Sequence, residues 1–174
     1  MNDWRKRNLT RALKWACYIL LLMLSFVLQQ TPGFLQIAPE VKPVLVVPLC
    51  IAVAGLEGEF GGALIGALGG LLWDMAAGRT AGFFALGLMA ACFFTGLAVS
   101  LFFRCSYFNM MAFTLLALLL ITGFDFLLGY VLYRYGGAAS YYFKWILPTC
   151  IWSTVWLAPQ LWVLKKIQKR FVLE

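Results

Sequence analysis

Histidine is absent from this 174-residue chain. The commonest general base and the commonest imidazole metal ligand are therefore missing. Charge is scarce as well: Asp, Glu, Lys and Arg together make up 12% of the residues, and only seven residues are acidic. The five cysteines (Cys17, Cys50, Cys92, Cys105, Cys150) are scattered without paired spacing, so neither a C-x-x-C redox motif nor a zinc-ligand pattern is present. Four of them lie inside apolar runs, where cysteine behaves as a small hydrophobe. The sequence has no G-x-S-x-G, no Walker loop and no H-E-x-x-H. Catalysis would have to rest on two aspartates alone. The chain therefore reads as no enzyme, and neither a cofactor nor a metal site is expected.

What the chain does have is apolar residues: 63% of the total, with a mean hydropathy of +0.87. That composition belongs to integral membrane proteins. The reading is a single all-α transmembrane domain over 1–174, with short basic tails at about 1–11 and 165–174. Its most informative stretch is GEFGGALIGALGGLLWDMAAG, from Gly58 to Gly78. Gly58, Gly62, Gly66 and Gly70 recur every four positions, flanked by Ala63 and Ala67. On a helix, residues four apart stand one above the other. The spacing predicts a nearly bare stripe on which another helix packs backbone to backbone. In water so many glycines weaken a helix by about 1 kcal/mol each. In lipid the backbone must satisfy its own hydrogen bonds, and small-xxx-small faces favour helix association.

The apolar runs predict about six transmembrane helices, at about 12–30, 43–56, 61–76, 82–103, 110–133 and 145–164, with a tight acidic turn over 57–60. The first run resembles a signal peptide in its basic start, but Leu28 to Gly33 offers no A-x-A-like cleavage site, so a retained span is expected. The second span is short and interrupted by Pro48, so it and the third also fit a re-entrant hairpin. Ten Lys and Arg fall on one side of this arrangement, at both termini and Arg104. Four fall on the other: Lys42, Arg79, Arg134 and Lys144. By the positive-inside rule both termini face the cytosol, and the basic ends attract anionic headgroups rather than nucleic acid.

Asp74 and Asp125 are the acids to explain, because a carboxylate within a membrane is costly and faces the bundle interior or water. Both fall in the outer half. Asp125 shares a helix face with Thr122 and Gly129. An outward-facing groove for a partner is one reading. The other is structural: Asp74 capping a helix end or pairing with Arg79, and Asp125 bonding to a neighbouring helix. Glu57 and Glu59 read as solvated carboxylates of an inner turn. Tyr130, Tyr133, Tyr135, Tyr141, Tyr142 and Trp145 read as an interfacial belt. Trp15 reads as an interface anchor, and Pro48, Pro148 and Pro159 as kinks.

Several of these features recur together in one family. A short basic N-terminus precedes one span, then a proline-led span (APEVKPVLVVPL) and a Gly-rich span ending in Leu-x-x-Asp before a small-residue turn (GALIGALGGLLWDMAAGRTAGFFAL). The final span contains proline and ends in a basic helix (VWLAPQLWVLKKIQKRF). The order and motifs resemble the rod shape-determining MreD family over almost the whole length, most specifically at Gly66 to Gly82. The resemblance implies a scaffold of the cell-wall elongation machinery in the bacterial inner membrane. It implies binding to MreC, and through MreC to MreB, a RodA-type glycosyltransferase and a class B penicillin-binding protein. It also implies a fold similar to the substrate-binding subunits of energy-coupling factor vitamin transporters. Asp74 matches the family's Leu-x-x-Asp helix, and Asp125 falls where some members carry an acid. A solute-binding transporter subunit is the alternative, suggested by Ala12 and Ala16 as an AxxxA in the first span. A stand-alone channel or exchanger has only the intramembrane acids behind it.

Overall fold

The computed structural model describes residues 3–33, 41–78, 82–102, 105–127 and 142–172. They form α1 (Asp3–Gln30), α2 (Val46–Ala77), α3 (Phe83–Leu101) and α4 (Tyr107–Phe126). A π-helical turn, Tyr142–Ile146, then leads into α5 (Leu147–Val155) and α6 (Leu157–Val172). No strand occurs among the described residues. Four helices are long and apolar enough to cross a membrane: α1 from Asn8 onward, α2, α3 and α4. The basic N-terminal segment is helical from Asp3 and continuous with α1.

α2 is two helical arms joined at Gly58, and the chain is folded back on itself there. At Gly58 the backbone leaves helical geometry, with φ 83° and ψ −172°. Only glycine adopts that positive φ without strain. The Sγ of Cys50 lies 3.6 Å from the carbonyl of Ile65, and a Cβ built on Gly62 would stand 2.4 Å from the Cβ of Ala54. In a straight helix residues fifteen apart are separated by about 22 Å. α2 is therefore a tight hairpin with arms 46–57 and 59–77. The turn expected over 57–60 is a single glycine.

The first arm is the core of the bundle: every residue from Val46 to Ala54 is buried. Its helical length of about 18 Å falls short of a ~30 Å hydrocarbon core. Its open ends are closed by side chains from other helices. Gln29 Oε1 accepts from the N–H of Leu45 (2.8 Å) and of Val46 (3.2 Å). Ser153 Oγ accepts from Val44 N (2.7 Å). Gln160 Nε2 donates to Leu45 O (3.0 Å), and Gln168 Nε2 donates to Leu56 O (3.2 Å). Irregular backbone at membrane depth is tolerated only where protein satisfies it in this way.

The last span expected over 145–164 is divided. Pro159 cannot donate to the carbonyl four residues back. The chain breaks at Trp156, leaving helices of nine and sixteen residues. Neither piece alone has the length of a span. The other end of the expected fifth span, 128–133, and most of the loop after it lie outside the described residues.

Tertiary contacts fix the directions. Lys14 meets Glu57 while Gln29 meets Leu45, so α1 runs against the first arm. Phe84 meets Asp74 while a Cβ on Gly96 would meet Gly58 and Glu59, so α3 runs against the second arm. Thr122 meets Cys150 while Lys165 meets Cys105, so α4 runs against α5 and α6. The described residues thus make six helical runs of alternating direction. The hairpin tip, the start of α1 and the end of α6 share one end.

Candidate functional site

The glycines of the second arm set how closely α3 approaches. A Cβ on Gly66 would stand 2.8 Å from Leu88 O and 2.9 Å from Cys92 Sγ. On Gly70 it would stand 2.4 Å from Ala85 Cα and 2.5 Å from Phe84 O. Gly62 faces both Ala54 and the carbonyl of Cys92, at 3.2 Å. At Gly70 backbone alone fills the position, whereas at Gly66 and Gly62 backbone shares it with the side chains of Cys92 and Ala54. Gly58 differs from the rest of the stripe: a Cβ there would meet nothing within 4 Å, and its contribution is the fold of the hairpin. Ala63 and Ala67 are half-buried. Gly69 breaks the four-residue rhythm, and a Cβ on it would stand 2.6 Å from Cys50 Sγ and 3.0 Å from Val46 Cγ1. It joins the two arms of α2, as Gly66 and Gly70 join the second arm to α3.

Asp74 ends this seam, and it is buried, with 4% of its surface exposed. Its Oδ2 accepts from Gly82 N (2.9 Å) and Ala85 N (3.1 Å), and its Oδ1 accepts from Phe84 N (3.1 Å). Those are the first amides of α3, whose N-cap residue, Gly82, has φ 100° and no side chain to offer. Asp74 supplies the missing cap from another helix. The first N–H groups of a helix have no internal partner and carry partial positive charge, so a carboxylate there is doubly favoured. Trp73 stacks on Phe84 beside it, with ring centres 4.4 Å apart. The expectation that Asp74 faces an outer partner groove gives way to this structural role, because both oxygens are engaged by buried backbone. Arg79, its expected alternative partner, lies outside the described residues.

Asp125 is half-buried near the end of α4. Thr122, one turn earlier, donates to Leu118 O and lies 3.6 Å from Cys150 Sγ on α5. That face of α4 therefore turns toward α5. Gly129 lies outside the described residues, as do Tyr130, Tyr133, Tyr135 and Tyr141. Close by, Phe83 stacks on Phe124 (6.1 Å) and Phe126 meets Tyr142 (5.2 Å), giving this end an aromatic rim.

At the opposite end, Glu57 is not the solvated turn carboxylate expected. Its Oε2 accepts from Lys14 Nζ (2.7 Å) and its Oε1 from the hydroxyl of Tyr18 (2.8 Å). The two side chains of the ion pair are only 18% and 12% exposed. Trp15 packs edge-on against Tyr18 (6.1 Å) and over the bare backbone of Gly61 (3.3 Å from a built Cβ). A sequence signal for this cluster existed: Lys14 and Tyr18 are four residues apart, hence on one face of α1. Replacing Lys14 by Met is expected to lower stability by about 2 kcal/mol, because it leaves a largely buried carboxylate with one partner. Lys14→Met combined with Glu57→Gln should recover most of that loss. Thermal midpoints in detergent measure both, and strictly additive effects would contradict a coupled pair.

On the same side, Lys165 Nζ donates to Cys105 O (3.2 Å) and stands 4.2 Å from the centre of the Tyr107 ring. Burial pushes the Cys105 thiol up from its ordinary value, and the nearby Lys165 ammonium draws it partly back. No group of three or more Cys, Asp or Glu able to hold a metal occurs among the described residues. Asp74 and Glu57 each hold helices together. A family model described as rod shape-determining protein MreD matches residues 9–170. No curated protein and no solved structure matches the chain.

Proposed function

Because the chain belongs to the MreD family of rod shape-determining proteins, we propose that it is a non-enzymatic scaffold of the bacterial cell-wall elongation machinery. The family match over residues 9–170 carries this reading. The protein sits in the inner membrane as six spans, with both termini in the cytosol. The hairpin arms of α2 count as two spans, and α5 with α6 as one kinked span. The topology is that of the substrate-binding subunits of energy-coupling factor transporters. The alternating direction of the six helical runs supports it, as does the gathering of the basic termini at one end. A scaffold needs a rigid frame and an exposed recognition surface. The glycine seam and the two buried carboxylates supply the frame.

The recognition surface lies on the opposite side from the termini, at Asp125 near the end of α4, where Phe124 and Leu127 are exposed. It receives the transmembrane span and adjoining periplasmic part of MreC. Thr122 ties this part of α4 to α5. MreB, the RodA-type glycosyltransferase and the class B penicillin-binding protein are engaged through MreC. Asp125→Asn is expected to leave membrane levels of the protein unchanged while reducing affinity for MreC, and with it MreC recovery, about tenfold or more. Losing a charge-assisted bond costs about 1.5–3 kcal/mol. Co-purification of MreC with tagged protein from native membranes measures this, and unchanged recovery would place MreC elsewhere. The same pull-down tests the function itself. Recovery of an ATPase pair and a coupling subunit, without MreC or wall synthases, would overturn the scaffold reading.

A further inference from the structure

The two basic ends of the chain, far apart in sequence, meet at the hairpin tip. Lys14 on α1 binds Glu57, and Gln168 on α6 binds the carbonyl of Leu56 next to it. The tip holds two acids, Glu57 and Glu59, and Glu57 is already occupied by Lys14 and Tyr18. Arg11, Lys166, Lys169 and Arg170 are exposed at this same end.

We infer that the exposed face of α6 formed by Trp162, Lys166, Lys169 and Arg170, at the same end of the bundle as Arg11 of α1, is a seat for anionic phospholipid headgroups. The order of side chains along α6 supports lipid as the occupant. Leu157, Leu161 and Leu164 are buried against the bundle, while Trp162 is 59% exposed. Lys166 Nζ lies 5.1 Å from the centre of the Trp162 ring, one turn further on. An exposed indole followed by cations marks the boundary between hydrocarbon and headgroups. Lys166 lies about 6 Å beyond Trp162 along the helix, and Lys169 and Arg170 about 10–12 Å beyond it. The headgroup layer on each side is about 5–8 Å thick. Long side chains bend back along an apolar surface, which brings all three cations to phosphate level rather than out into the cytosol. Lys165, between them in sequence, turns the other way and is committed to Cys105 and Tyr107.

The test uses the full chain in nanodiscs of phosphatidylcholine. These contain brominated phosphatidylglycerol or brominated phosphatidylcholine at equal mole fraction. The Trp162 contribution to fluorescence is obtained by difference from Trp162→Phe. Each basic residue near an anionic surface contributes about a fivefold preference. The expected result is quenching of Trp162 several-fold stronger by the brominated anionic lipid. The preference is lost in Lys166→Gln/Lys169→Gln/Arg170→Gln, and in wild-type protein it falls steeply as salt is raised. Equal quenching by the two lipids, or a preference indifferent to salt, overturns the inference without need of any variant. An intact lipid preference in the triple variant, together with loss of an acidic cytosolic protein from native-membrane pull-downs, would assign these cations to a protein instead.

Discussion

Gly70→Leu is expected to abolish recovery of folded protein. A Cβ there meets Ala85 Cα at 2.4 Å, Phe84 O at 2.5 Å and Ala85 N at 2.7 Å, all of them backbone. None of these atoms withdraws by changing rotamer, so α3 must separate from the second arm. That separation also carries Phe84 and Ala85 away from the carboxylate of Asp74, which holds their amides. Overpacking in a well-packed core costs about 1–3 kcal/mol when side chains can adjust. Here a rigid backbone contact and a helix cap fail together, so the loss exceeds ~3 kcal/mol, a large share of a typical domain's stability. Gly66→Leu is expected to be nearly as damaging, since Leu88 O stands 2.8 Å from its added Cβ. Gly87→Ala is the control. Its nearest neighbour is Ile121 Cγ1 at 3.6 Å, an ordinary contact. Size-exclusion profiles of gently extracted protein separate these outcomes. A monodisperse Gly70→Leu protein at wild-type yield would show that the seam does not set the fold.

This prediction was open to sequence reasoning because four-residue glycine spacing has a direct geometric meaning on a helix. It was legible without knowing which helix lies opposite. Gly58 continues the rhythm and its backbone lies against Gly96 of α3, but it also serves as the fold of a hairpin, which the spacing did not announce. Spacing does not distinguish a bare helical face from a positive φ, since glycine suits both. Asp74 was legible as a membrane-embedded acid, and helix capping was among its readings. Its donors come from Gly82, Phe84 and Ala85, across a turn whose path the sequence does not specify. Glu57 was the clearest miss. Its neighbours in sequence, Gly58 and Glu59, suggest a wet turn, while the partners that enclose it sit on α1, 43 and 39 residues away. Long-range pairing of this kind leaves no local periodicity. The glutamines followed the same pattern. Gln160 interrupts an apolar run, Gln29 closes one and Gln168 lies in the basic tail, and each serves an end of the buried first arm. A polar amide inside a span is a usable signal once one asks which broken helix requires it. The MreD resemblance was carried by the order of spans and the Gly66 to Gly82 motif, and the family match over residues 9–170 agrees with it.

Asp74→Ala is expected to be the most damaging substitution of a single polar side chain. It leaves the amides of Gly82, Phe84 and Ala85 without an acceptor. Water does not readily replace the carboxylate where the residue is 96% buried, with Trp73 stacked on Phe84 beside it. Ordinary exposed caps are worth about 1 kcal/mol. Hydrogen bonds to a charged acceptor are worth about 1.5–3 kcal/mol, and buried donors left unpaired cost about 1–3 kcal/mol. The net loss from three such donors at one helix end is expected to be about 4 kcal/mol, because the frayed turn partly relaxes. Asp74→Asn tests the chemistry more finely. Both carboxylate oxygens accept N–H bonds, so either orientation of the amide turns its NH2 toward at least one backbone donor. A loss of about 2–3 kcal/mol is therefore expected even from this isosteric change. Thermal midpoints give the totals, and hydrogen exchange gives the location. The amides of Phe84 and Ala85 should lose protection in both variants before the middle of α3 does. Unaltered protection of these two amides in Asp74→Ala would mean that the cap is not what holds the start of α3. The cellular consequence also differs from that of Asp125→Asn. Substitution of Asp74 is expected to lower the amount of protein in the membrane and to disturb rod shape through that loss. Substitution of Asp125 should leave the amount unchanged and disturb shape only through the partner.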